Sequence, residues 1–204
     1  MQFKKTLISS ALIATGIGLS TSALAVQQGD WLMRVGLTNV SPNDGSTGVV
    51  PNDAVGVDDD TKPSISFTYM YNDNMGIEIL AALPFEHDIT LLGSKIASTE
   101  QLPPTVSLEY HFSPKDDVRP YVGLGINYTT FFSEETTAVI SSLSLDDSVG
   151  LAATLGVDVD INKDWFFNAS VRYANIETTA STNLGDIEVD INPYVYTLGV
   201  GTTF

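Results

Sequence analysis

Side chains of opposite character alternate at period two along most of this chain, and few architectures can use such a pattern. Read back from the carboxyl end, Tyr194, Tyr196, Leu198, Val200 and Phe204 share one parity, while Val195, Thr197, Gly199, Gly201 and Thr203 share the other. Successive strand residues point to opposite faces, so one face is large and apolar and the other small. Seven upstream segments repeat the split. Trp31, Met33, Val35 and Leu37 oppose Leu32, Arg34, Gly36 and Thr38. The segments around Ile65–Tyr71, Gly76–Leu83, Thr105–Phe112, Val122–Phe132, Leu151–Ile161 and Trp165–Ala174 follow suit. Each is roughly 9–13 residues long, the length a tilted strand needs to cross a hydrocarbon layer.

Which face carries the bulk decides between two barrels. A soluble eight-stranded barrel packs large apolar groups inward. Here the small face (Gly, Thr, Ser, Asn and a few charges) fits the narrow interior of eight strands. The bulky face must then look outward, which is stable only against lipid. The expected fold is all-β: a transmembrane eight-stranded antiparallel β-barrel in the bacterial outer membrane. An even strand count puts both chain ends on one side. Connections at Asn72–Asn74 and Asn162–Asp164 are tight, and Ser113–Arg119 is modest. Those near 41–60, 85–101, 133–148 and 178–188 are long, the habit of short periplasmic turns and four long extracellular loops. The stretch from Glu134 to Leu145 has room for a helical turn. Trp31, Tyr69, Tyr71, Phe112, Tyr121, Trp165 and Phe204 fall near strand ends, where amphipathic rings seek the headgroup level.

Residues 1–25 read as a cleaved signal peptide: Lys4 and Lys5, a short diluted apolar stretch to Leu19, then Ala23-Leu24-Ala25. Residues 26–204 read as one barrel domain, starting near Val26. With no cysteine, disulfides cannot staple an exported domain of this size, whereas ring closure can hold it. Acids outnumber bases, 25 to nine, and two of those bases sit in the leader. That balance argues against nucleic acid, which needs a basic face. The acids gather in the long connections, as a solvated surface or as a place for cation-bridged lipopolysaccharide.

Several inward positions carry charge. Arg34, Glu78, Glu109 and Asp158 each lie a few residues from the periplasmic end of a strand and are expected at similar height. Intramembrane ionisable groups pair and face inward, so these read as a plug closing the periplasmic end, with an ion relay as the alternative. Above them Leu80, Met70, Ala82 and Val195 are expected to line a hydrophobic lumen, with the Arg172 charge near mid-height. They form either an apolar pocket or mere filling. Catalytic and metal motifs are weak: the run Asp158–Asp164 lacks the glycine and glutamate of a calcium loop, His87 and His111 have no partners set by spacing, and no nucleophile elbow occurs. No enzyme activity, metal or cofactor is expected.

Five runs together resemble the OmpW family of outer-membrane proteins, AlkL-like members included: Met75–Phe85 (MGIEILAALPF), Leu102–Thr105, Arg119–Phe132 (RPYVGLGINYTTFF), Ile161–Trp165 and Asn192–Tyr196. The resemblance implies a narrow hydrophobic barrel, closed toward the periplasm, for passive uptake of small apolar molecules with sideways release into the membrane. It also implies phage or bacteriocins as loop partners; terminal Phe204 after alternating residues resembles the signature read by the barrel-assembly machinery, and such a barrel has outer-membrane lipid and lipopolysaccharide as surroundings. A non-conducting barrel with a structural, stress or surface-interaction role is the alternative. Leu80 keeps one of two bulky constriction positions of the family; Arg172 stands where members place Trp.

Overall fold

The computed structural model describes residues 25–138 and 140–204, so the expected leader lies outside the described residues apart from Ala25. Among the described residues the strands are β1 (Trp31–Ser41), β2 (Gly45–Gly48), β3 (Val55–Val57), β4 (Asp60–Met70), β5 (Met75–Ala82), β6 (Phe85–Leu91), β7 (Ser94–Leu102), β8 (Thr105–His111), β9 (Val118–Thr136), β10 (Leu143–Leu145), β11 (Ser148–Asp160), β12 (Phe166–Ala174), β13 (Glu177–Thr182), β14 (Gly185–Asp190) and β15 (Tyr194–Thr203). Eight of them close a ring in the order β1-β4-β5-β8-β9-β11-β12-β15 and back to β1. Every pairing is antiparallel, and the expected barrel is present.

Parity sorts the faces as the alternation requires. Leu124, Leu151 and Val149 are at least 70% exposed on the outside, while Thr68, Glu109, Thr129 and Asp158 are fully buried inside. Missing side chains make room for large ones. Tyr121 lies across Gly156 and Phe166 across Gly201; a Cβ on either glycine would come within 2.3 Å of the facing ring.

The two tight turns share one device. Asn72 Oδ1 accepts from the backbone N–H groups of Asn74 and Met75 (2.9 and 2.8 Å). Asn162 Oδ1 does the same for Asp164 and Trp165 (2.9 and 3.1 Å). Each asparagine closes its own turn before the next strand begins. At this end residues 26–30 pass beneath the lumen. The Val26 N–H donates to Pro114 O (2.7 Å) and that of Gly29 to Met70 O (2.8 Å). Val26, Leu32, Met70 and Phe166, all fully buried, form an apolar floor.

Two expectations need correction here, the helical turn and the height of Met70. The four long connections are present and are largely built of strands. β9 runs on for 19 residues; β7 pairs with its outer half, β6 with β7 and β3 with β6. A second sheet, β10-β13-β14-β2, faces them. The helical turn entertained for residues 134–145 does not occur among the described residues, which hold the end of β9 and the short β10. Met70, expected in the upper lining, is in the floor: β4 runs toward the short turns and Met70 is its last residue. Parity assigned the face correctly, but height depends on strand direction.

Candidate functional site

The lumen is built in levels above the floor. Arg119 and Asp160 form the lowest ion pair (2.5 Å), with the guanidinium 5.2 Å from the Phe166 ring centroid. Next comes Arg34. Its Nε and Nη2 donate to the two carboxylate oxygens of Asp158 (3.1 and 2.9 Å), and its Nη1 donates to Thr68 Oγ1 (2.9 Å). Glu109 Oε2 lies 3.6 Å from Arg34 Nη1 and accepts from Thr68 Oγ1 (3.1 Å). Asn168 Nδ2 donates to Asp158 (2.7 Å) and to Tyr121 OH (3.0 Å). The Arg34 guanidinium rests on the Tyr121 ring at 4.7 Å, and His111 stacks on that ring's plane at 5.3 Å between centroids. Buried charges survive where geometry and extra hydrogen bonds offset desolvation; Arg34 and Asp158 have both, whereas Glu109 Oε1 keeps no hydrogen-bond partner among the described residues.

Arg34, Glu109 and Asp158 are therefore brought together. Glu78 is not with them. It pairs one level higher with Arg172, whose Nε also donates to Thr154 Oγ1 (2.8 Å). The closed ring is sheared, so residues equally far from their turns sit at different heights. Arg172, expected as a charge near mid-height of the lumen, thus carries its own counter-ion.

Three cavities stack above and beside these pairs. The lowest, about 410 Å³, touches Arg34, Glu78, Tyr121 and Arg172. The middle one, about 440 Å³, is lined by Val40, Ala82, Phe85, Gln101, Ile176 and neighbours. Leu80 and Val195 border both, so three of the four expected lining residues (Leu80, Ala82 and Val195) face these spaces. The largest, about 580 Å³, lies between the two outer sheets. Its walls are Ile89, Ile96, Phe131, Ile140, Ile187 and Val189, all buried.

Sequence reasoning missed this upper cavity, although a signal existed. Ile187, Val189 and Ile191 alternate with Asp186, Glu188 and Asp190. The acids are the outer face of a strand whose inner face is aliphatic. Weighing them as a charge run hid the period-two pattern beneath. Parity put His111 on the inward face, but Arg119 was missed as a lumen residue and Tyr121, expected at headgroup level, is buried in the lumen, because both border the modest turn at 113–119.

The polar groups of the upper wall are mostly spent within the protein. Thr178 Oγ1 donates to Asp146 O (2.7 Å) and Thr182 Oγ1 to Gly185 O (2.8 Å). His87, 2% exposed, hydrogen-bonds through Nδ1 to Asp58 O (2.6 Å) and through Nε2 to Gln101 Nε2 (2.8 Å). Burial pushes the His87 imidazole below its usual range, against the pull of the Asp58 carbonyl and of Asp60 and Asp59 nearby.

The barrel wall has a seam beside the middle cavity. The β5–β8 ladder ends at Leu80↔Thr105. The Tyr128 N–H donates to Pro104 O (3.0 Å), so Pro104 faces β9. Its neighbour Pro103 then faces β5, where it has no N–H to give. The Pro103 carbonyl is taken by Asn127 Nδ2 (3.1 Å). Ala82 and Leu83 stand opposite with no rung to β8, and Leu83 is 57% exposed on the outer surface.

The OmpW family model matches residues 27–204. Outer membrane protein W of Vibrio cholerae serotype O1 is 42% identical over 98% of this chain and 100% of its own length. The crystal structure of OprG from Pseudomonas aeruginosa superimposes with a TM-score of 0.83 at 36% identity, covering 89% of this chain and 99% of that one. A more distant relative, the dibenzothiophene metabolism operon protein PahQ of Pseudomonas aeruginosa, is 28% identical over 87% of this chain and 90% of its own. With sealed ring, exposed apolar belt and full-length relatives all in agreement, the chain belongs to the OmpW family of outer-membrane β-barrels.

Proposed function

We propose that this barrel is a passive conduit for small hydrophobic molecules, which enter from the extracellular end and leave sideways into the membrane. The observation that carries the reading is the upper cavity, a mostly apolar space between the two outer sheets beyond the ring. Burying apolar surface there gains about 25 cal/mol per Å². Lipopolysaccharide resists such molecules, so an apolar path through it has a use. The floor and the ion pairs obstruct travel straight down, whereas the Pro103 seam offers an exit with no ladder bond to break. The name of the PahQ relative connects a member of the family with dibenzothiophene metabolism, and dibenzothiophene is a flat apolar heterocycle.

On this reading Arg34, Glu109 and Asp158 are the periplasmic plug, Glu78 and Arg172 a second closure above it, and Leu80, Ala82 and Val195 the lining next to the exit. The leader 1–25 is a cleaved signal, Phe204 is the terminal residue offered to barrel assembly, and lipopolysaccharide, phage or bacteriocins meet the outer sheets. The packed lumen also favours a second reading, a non-conducting barrel whose outer sheets bind a surface partner. Uptake of an apolar compound by deleted and complemented cells separates the two. The conduit predicts faster uptake with the gene present, and Leu80→Arg slows it by blocking the space beside the seam. Equal rates in deleted and complemented cells refute the conduit and leave the second reading.

A further inference from the structure

Gln101 borders both the upper and the middle cavity, so a molecule travelling from one to the other passes it. Its strand neighbours at this neck are Phe85 on β6 and Phe131 on β9, both buried. The orientation of its amide is fixed by chemistry. Asp58 O is a backbone carbonyl and can only accept, so His87 Nδ1 carries the proton. In the neutral ring Nε2 is then an acceptor, and the Gln101 NH₂ must donate to it. This relay leaves Gln101 Oε1 turned away from His87, buried and without a hydrogen-bond partner. Gln101 as a whole is 1% exposed. A buried acceptor without a partner carries a cost that a suitable guest removes.

We infer that the Gln101 carboxamide oxygen, locked in place by His87 and Asp58, is a selectivity site for apolar molecules bearing a single hydroxyl, such as phenols and alcohols. The inference rests on the conduit reading and names its preferred cargo. A ring or short chain fills the apolar space between Phe85 and Phe131, and its O–H donates to Oε1. A molecule that only accepts cannot satisfy Oε1; it is left with the second N–H of an NH₂ already donating to His87, and the buried oxygen stays unpaired. An anion finds no positive charge among the groups of the neck. Thr99, the other polar neighbour on β7, is already engaged through its hydroxyl with Glu100 O and Phe132 O (both 3.3 Å).

The test uses the full barrel in lipid nanodiscs, with naphthalene, 1-naphthol and 1-methoxynaphthalene as probes and amide NMR shifts of upper-cavity residues as the readout. Wild type should half-saturate with 1-naphthol at roughly one fifth of the concentration needed for 1-methoxynaphthalene, the ratio one net hydrogen bond supplies. Gln101→Leu should erase that ratio while naphthalene still shifts the cavity amides; Gln101→Met serves the same purpose if the branched side chain disturbs folding. His87→Phe, which frees the amide to turn, should bring 1-methoxynaphthalene level with 1-naphthol. Equal affinity for these two probes in wild type, or a preference that persists in both Gln101 variants, overturns the inference while naphthalene binding keeps the conduit standing. Failure of naphthalene itself to shift the cavity amides overturns both.

Discussion

Replacing Arg34 by Met would remove the cation around which the lower lumen is organised. Arg34 is 5% exposed and makes two bonds to Asp158, one to Thr68 and a close approach to Glu109. Its loss leaves Asp158 with Asn168 as side-chain donor, and Glu109 with Thr68 and His111. Stranding a buried partner of an ion pair costs about 3–5 kcal/mol. The double variant Arg34→Met/Asp158→Asn removes the stranded charge as well, so it should be less destabilised than the two single costs added together, by about 1.5–3 kcal/mol. Both tryptophans, Trp31 and Trp165, sit beside the short turns, so their fluorescence follows urea unfolding from lipid vesicles at this end of the barrel. Lys95→Met is the control. Its pair with Asp88 is geometrically close at 2.5 Å, yet the two side chains are 48% and 38% exposed, and no resolvable change in midpoint is expected. A cost below about 1 kcal/mol for Arg34→Met, or strict additivity in the double variant, would refute the claim that this cluster is a coupled buried network.

Two further outcomes follow from the outer half of the barrel. Pro103→Thr restores an N–H opposite Ala82; the β5–β8 ladder should lengthen, and if the exit is lateral, uptake should slow by roughly fivefold for one added rung while binding in the upper cavity is unchanged. Uptake as fast as wild type would move the exit elsewhere. Because His87 is held neutral with a lowered pKa, the unfolded chain binds more protons at acid pH. The His87 contribution is whole above its ordinary value of about 6.5 and is lost as pH falls from there to the depressed folded value. Amide exchange in β6 and β7 should therefore quicken below about pH 6.5, and His87→Phe should flatten that dependence; an unchanged profile in the variant would remove His87 as the cause.

The ring was legible because each barrel strand obeys one rule with few exceptions: at Leu124-Gly125-Ile126 or Leu198-Gly199-Val200, bulk goes out and smallness in. Heights were harder to read. Glu78 was placed by distance from a turn and Met70 was grouped with the upper lining, yet strand direction sends Met70 to the floor and shear lifts Glu78 to Arg172. Pairing partners depend on registers between strands far apart in sequence, such as Arg34 and Asp158, and alternation within one strand carries no information on that. The upper cavity shows the opposite failure, since its strands do alternate. In Gly185–Ile191 the polar parity is acidic rather than small, because that face meets water instead of a crowded lumen, and the same period was taken for loop charge. A two-faced strand has one rhythm in lipid and in water, but its two alphabets are exchanged.

The rings of Tyr121 and Phe166 occupy ground that Gly156 and Gly201 leave bare, and this couples positions far apart along the chain. A descendant with a wider bore cannot reach it by trimming Tyr121 alone, since the bare strand opposite would become a void; nor can it add bulk at Gly156 while the ring remains. Bore size in such a cylinder is therefore inherited in matched pairs, and lineages that differ in what they admit should differ at both members together.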